Sequence, residues 1–347
     1  MRYLLCSLII VIFGCCFAGG FFGILKKQQI DGHGMLTKDT TNVCKGFAIV
    51  IIMLAHISNL FNIRYMTPCG AWGVSIFLFL SGYGLELSYR KNGLKDFVKK
   101  RLLTAYLPFV VIELITIVGY FSSIDNIALC VIKSLLLIEP IHPYGWYMQC
   151  LFIYYITFYI SKVFFVDTKW FKWVVYLIVS LLTLCFLRSL FKQQIFTFVL
   201  GVFVADNKEK LVKYFDSIKL FVLFFIIGFF MIALRQINAI RLLPDIIYNL
   251  LISIESTCLM LATMGAFNVL INKLPGFMFI GLNKVGQISF ELYLIHAFVI
   301  IFILAKNLTY LNILIFFIVS ILTAILFYIL RTKLLNLIFK SKKACRD

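Results

Sequence analysis

Apolar runs long enough to cross a bilayer recur along almost the whole chain, and most lysines and arginines gather in the short segments between them. One run, Asn42 to Asn62 (NVCKGFAIVIIMLAHISNLFN), carries two ionisable residues, Lys45 and His56. They are eleven residues apart, and at about 100° per residue eleven steps return to within about 20° of the starting direction. Both therefore lie on one helix face. At about 1.5 Å per residue they are also separated by roughly 16 Å, so a lysine at the membrane boundary leaves the histidine near the middle of a ~30 Å hydrocarbon core.

Composition agrees with the runs. Hydrophobic residues fill 62% of 347 positions, charged residues only 14%, and the mean hydropathy is +1.00, values no soluble globular chain of this length sustains. The expected fold is all-α, a polytopic transmembrane helical bundle of about 10 to 11 membrane helices. A net charge of +18 raises the question of nucleic acid. The basic residues follow the positive-inside pattern, however, and no aromatic-and-basic platform or major-groove helix is present, which excludes that partner. None of the ten cysteines forms a C-x-x-C pair, and Cys130, Cys150, Cys185 and Cys258 lie inside apolar runs. They read as small core residues, with no disulfide framework and no metal site.

Taken in order, Met1 to Leu25 reads as an uncleaved extra helix, and residues 1–41 form that helix with a polar linker. A membrane domain follows over 42–335, then a basic cytoplasmic tail over 336–347. Beyond the second run, spans are expected near 70–90, 102–121, 145–166, 171–189, 194–206, 217–235, 246–271, 286–305 and 311–331. The basic segment Arg90 to Arg101 (RKNGLKDFVKKR) must face the cytoplasm. Lys162, Lys169, Lys172, Lys208, Lys210, Lys213 and the tail then fall on the same side as helices alternate. The localisation this implies is the inner, cytoplasmic membrane. Counting along the helices places Lys45 at the cytoplasmic end of its run, and His296 and Glu113 near the depth of His56.

A charge at the bilayer centre costs roughly 2.5 to 3.5 kcal/mol on insertion scales, so ionisable groups at that depth need a reason. Two readings are open. Glu113, His56 and His296 satisfy one another or backbone carbonyls and tie helices together, or they do chemistry, with histidine the side chain best matched to proton transfer near neutral pH.

Four stretches carry a family resemblance: VCKGFAIVIIMLAH with Lys45 and His56, GAWGVSIFLFLSGY at Gly70 to Tyr83, FVKKRLLTAYLPF, and GQISFELYLIH ending at His296. In that order they resemble the membrane acyltransferase-3 family. The resemblance implies transfer of an acyl group, usually acetyl from cytoplasmic acyl-CoA, onto a hydroxyl of an exported or cell-surface glycan. It further implies that Lys45 and His56 mark the catalytic helix, with His56 the general base; His296 and Glu113 are accessory catalytic candidates by their shared depth in the membrane. Lys99, Lys100 and Arg101 would hold coenzyme A phosphates, or serve as a topology signal alone. The implied partners are the lipid bilayer, the glycan acceptor and acyl-CoA.

This chain departs from the family pattern at two positions. Ser75 stands where an aspartate is common, and Thr104 where a second basic residue, three after Arg101, is common. Elsewhere, His142 lies among Pro143, Tyr144, Trp146 and Tyr147 in an outside loop that reads as an interfacial aromatic belt or as a sugar-stacking surface. Glu255 reads as a second acid or the partner of an arginine. Ser289 and His296 share a face, with Glu291 directed elsewhere. Ser81 and Gly82 read as a close helix contact rather than a nucleophile. The rival class, a proton-coupled secondary transporter or glycan-export component, would also bury His and Glu at the midplane, but it calls for inverted repeats that the sequence does not show.

Overall fold

The computed structural model describes residues 34–60, 66–121, 124–164, 170–215, 217–274, 276–301 and 309–344, and among them it is helical with no strand. The expected first helix, Met1 to Leu25, lies outside the described residues. In chain order the helices are α1 (Lys38–Leu60), α2 (Thr67–Asn92), α3 (Phe97–Gly119), α4 (Ile127–Leu135), α5 (Trp146–Phe164), α6 (Phe171–Phe186) and α7 (Thr197–Asp206). There follow α8 (Lys208–Phe215), α9 (Ile218–Leu234), α10 (Asp245–Lys273), α11 (Ile280–Gln287), α12 (Ser289–Val299) and α13 (Tyr310–Ala344).

Local chemistry explains several boundaries. Pro68 opens α2, where a missing N–H is harmless, and Gly93, at φ 59°, closes it with its N–H on the Tyr89 carbonyl. Asn126 caps α4 by accepting from the Leu129 N–H at 3.0 Å. Five described stretches, α1, α2, α3, α10 and Leu311–Ile338 within α13, are long and apolar enough to cross a membrane, and α8 with α9 makes a sixth if they count as one bent span. Other expected spans are shorter than hydropathy alone implied. The segment near 194–206 is the 10-residue α7, and 171–189 yields the 16-residue α6, which stops before Arg188. The last helix is longer than expected, running unbroken from Tyr310 into the basic tail.

The chain divides into two compact units, Met1–Leu94 with Ile153–Gln287, and Lys95–Phe152 with Ile288–Asp347. In the first unit the helices meet backbone to backbone at glycines. A Cβ on Gly46 would stand 2.0 Å from the Leu282 carbonyl oxygen, and one on Gly286 would stand 1.8 Å from that of Asn42, so α1 and α11 touch along their main chains. Gly82 and Gly201 do the same for α2 and α7, against Phe198 and Phe79. This is the close packing expected of Gly82, while the Ser81 hydroxyl lies 3.3 Å from that of Tyr155. Of the cysteines expected in the core, Cys150 is buried, but Cys130 and Cys258 are only partly covered and Cys185 is exposed on α6. An apolar run in a membrane helix has a lipid-facing side as well as a core side, and hydropathy does not tell them apart.

Candidate functional site

In the first unit, Lys45 and His56 are both half-buried on α1, and so are Thr41 and Leu60. Winding α1 at about 100° per residue puts these four within about 60° of Lys45, on one stripe, as the eleven-residue spacing requires. Between the two ionisable residues the stripe is closed. Ile49 and Ile52 are fully buried, and Ile52 packs against Gly73 of α2. Lys45 and His56 are therefore partly buried residues on a stripe with a closed apolar middle, rather than neighbours along an open groove. At the start of α1 the Asn283 amide donates to Asp39 at 2.9 Å and Gln287 donates to Asn283 at 2.8 Å, which fixes α11 beside the lysine end. Ser75 is buried in α2, with its hydroxyl on Gln194 at 2.8 Å and on its own helix at the Ala71 carbonyl.

Glu113 and His296 belong to the second unit, where one loop links them. Glu113 is 0% exposed and its carboxylate collects three donors: the Ser134 hydroxyl at 2.7 Å, the Ile141 N–H, and the His142 N–H at 3.1 Å. A carboxylate has four lone-pair sites for such donors, so it holds the 141–142 backbone in place. His142 then reaches α12. Its Nε2 donates to the Leu294 carbonyl at 2.8 Å and its Nδ1 accepts from the Tyr144 N–H at 3.3 Å, which fixes the neutral Nε2–H tautomer. Burial pushes this imidazole down to about 4, against the opposing pull of the Leu294 carbonyl. With 2% of its surface exposed, His142 itself belongs to a core and not to an interfacial or sugar-stacking surface. Loop aromatics with polar tips suit an interface in sequence, but here the Glu113 carboxylate draws the backbone inward.

The same loop sets the surroundings of His296. Tyr144 stacks on the His296 ring at 5.0 Å with 1° between the planes, and the Tyr293 hydroxyl donates to the Tyr144 carbonyl at 3.2 Å. His296 is fully buried, as is its Ser289 neighbour on the same face to within 3%. Its Nδ1 lies 3.0 Å from the Leu292 carbonyl, so Nδ1 carries the hydrogen and Nε2 is the basic nitrogen of the neutral ring.

Lys99, Lys100 and Arg101 form the first turn of α3 and are all half-buried, with the Arg101 guanidinium 5.9 Å from the centre of the Phe97 ring. The helix widens to a π turn over Leu102–Tyr106 just before Pro108. Pro108 has no N–H to offer the Thr104 carbonyl four residues earlier, and that oxygen accepts from Arg331 of α13 at 3.2 Å. Arg331 also pairs with buried Glu291 at 2.7 Å. Thus a cation from α13 stands at the backbone of Thr104, where this chain lacks a second basic side chain; Arg331 closes the last expected span, and nothing local in the sequence points it at Thr104. Glu255 pairs with Arg235, the arginine partner that was one of its two expected readings. Glu86 was also missed. It is 2% exposed and bonded by Lys162 at 2.7 Å.

No curated protein and no solved structure matches the chain. The family model described as an acyltransferase domain matches residues 40–332, which takes in Lys45, His56, Glu113, His296 and Arg331. The chain is therefore a multi-pass membrane acyltransferase and belongs to the acyltransferase-3 family.

Proposed function

We propose that this acyltransferase moves an acyl group, acetyl in the simplest case, from cytoplasmic acyl-CoA to a hydroxyl of an exported or cell-surface polysaccharide, with His56 as general base. What supports this reading is the placement of Lys45 and His56, both partly buried, on one stripe of α1 within the acyltransferase domain. A sugar hydroxyl is a poor nucleophile near neutral pH. His56 takes its proton as the oxygen attacks the thioester carbonyl, a contribution of roughly 100- to 10,000-fold. A new C–O ester bond forms, the C–S bond breaks, and the imidazolium returns its proton to the departing coenzyme A thiolate. Lys45, on the same stripe, offers a hydrogen-bond donor for an anionic part of donor or acceptor.

Lys99, Lys100 and Arg101 are proposed to bind the coenzyme A phosphates, a role that suits three cations on one helical turn. His296, with a basic Nε2 and its ring stacked on Tyr144, is the second candidate base.

His56→Gln separates a base from a helix tie. Glutamine keeps hydrogen-bonding capacity at similar reach but does not accept a proton at neutral pH. The expected result, in purified protein supplied with acyl-CoA and acceptor, is thermal stability close to the parent and transfer reduced by at least about a hundredfold. Near-parental transfer would remove His56 from the mechanism and make His296 the base to test.

A further inference from the structure

A cavity of about 870 Å³ opens in the first unit where α2 ends, α6 begins and α7 meets α8, and the proposed chemistry makes no use of it. Its walls include Arg90, Trp170, Lys172, Trp173, Asp206 and Lys210. Asp206 anchors two of the cations: Arg90 donates to it at 2.8 Å and Lys172 at 2.7 Å, and Lys172 also sits 5.0 Å over the Trp173 ring. Both bonds are charge-assisted and run to one carboxylate, so Asp206 holds the two cations side by side. Glu209 is a second carboxylate on the wall, which leaves the cations in excess by one. Lys210 is exposed and makes no side-chain ion pair among the described residues.

The apolar surroundings narrow the class of ligand. Trp170 is 82% exposed at the mouth, and Phe171, Val174, Ile178 and Leu181 continue from it as an exposed stripe down α6. Phe203 of α7 is exposed as well, with its ring 5.7 Å from Trp173. A soluble nucleotide has no use for such a stripe. An acyl chain does, and tryptophan with lysine or arginine is the usual dress of a membrane protein at headgroup level. The lysine-rich segments around this cavity mark the cytoplasmic side.

We infer that this cavity binds the phosphodiester headgroup of a cytoplasmic-leaflet phospholipid, with the phosphate at Lys210, Arg90 and Lys172, the glycerol edge against Trp170, and one acyl chain along the exposed stripe of α6. The site is independent of the acyl-transfer chemistry and is tested without it.

The full-length protein, stripped of lipid in a neutral detergent, is titrated with short-chain phosphatidylglycerol, with diacylglycerol of the same chain length, and with inorganic phosphate, and binding is followed by native mass spectrometry and melting temperature. Phosphatidylglycerol is expected to bind and stabilise, and each of the other two to do so at least tenfold more weakly. Lys210→Gln, which breaks no ion pair, should weaken phosphatidylglycerol by about fivefold, the share of one basic residue at a charged lipid surface. Trp170→Ala should weaken it by about threefold or more. Lys208→Gln, a neighbouring charge outside the cavity wall, should change it by less than twofold. An equal response to inorganic phosphate would make this a free-anion site, and an equal response to diacylglycerol a purely apolar one. Displacement of the lipid by coenzyme A would make it a nucleotide site, and equal losses at Lys208 and Lys210 would reduce it to bulk charge. Any of these four results overturns the proposal.

Discussion

Glu113 separates two roles that a buried carboxylate can take. As an acid or base it would need a proton to exchange, whereas its two oxygens here receive a hydroxyl and two backbone N–H groups. Glu113→Gln replaces one accepting oxygen with an NH₂ that faces an N–H, leaving that buried donor unsatisfied at a cost of about 1 to 3 kcal/mol. The expected outcome is a lower melting temperature, with residual transfer falling only as far as the loop around Tyr144 loosens. Unchanged stability with abolished transfer would return Glu113 to the chemistry. His142 carries a pH signature of its own. Its value in the fold is about 4 against 6.5 for an ordinary histidine, so stability is complete above about pH 6.5. It declines as pH falls toward 4, because the unfolded chain takes up a proton that the folded loop refuses. A His142→Gln protein, whose side chain does not titrate, should show a flatter melting-temperature profile between pH 6.5 and 4 than the parent; parallel profiles would contradict the buried neutral imidazole.

Helix contacts in the first unit depend on glycine at a few positions and are indifferent to it at others. Gly46→Ala places a methyl 2.0 Å from the backbone oxygen of Leu282, a contact no rotamer relieves, so α1 and α11 must move apart. The expected cost is about 3 kcal/mol or more, and the shift would also displace the lysine end of the stripe. Gly84 is the control. Nothing lies within 4 Å of its would-be Cβ, so Gly84→Ala should be neutral or stabilising by up to about 1 kcal/mol, the ordinary gain of alanine over glycine inside a helix. Melting both variants in the same detergent checks the pair. Equal behaviour would mean that α1 and α11 do not meet along their main chains.

For the whole molecule the testable quantity is orientation across the membrane. With the Arg90 to Arg101 segment inside, Lys342 should be cytoplasmic and the loop from Asp125 to Pro143 outside. In a background without native cysteines, an impermeant thiol reagent applied to intact cells should label Asn126→Cys and spare Lys342→Cys. The opposite pattern would invert the arrangement, and with it the assignment of acyl-CoA to the side that carries Lys99 to Arg101.

Membrane embedding, helical class, family and the shared face of Lys45 and His56 were all legible in the sequence, because each follows from local regularities: hydropathy over about 20 residues, 3.6-residue winding, and charge bias between runs. Tertiary structure alone decided which polar groups meet. Glu113 holds a backbone loop, His142 is locked in one tautomer, Arg331 reaches Thr104 and Glu291, and Asp206 gathers Arg90 and Lys172 from two other helices. Hydropathy scores a residue by its own transfer cost, while the bond that offsets the cost comes from a residue tens to hundreds of positions away. Ile49 and Ile52 show the same limit on one helix: periodicity set the stripe, and the approach of α2 at Gly73 closed its middle.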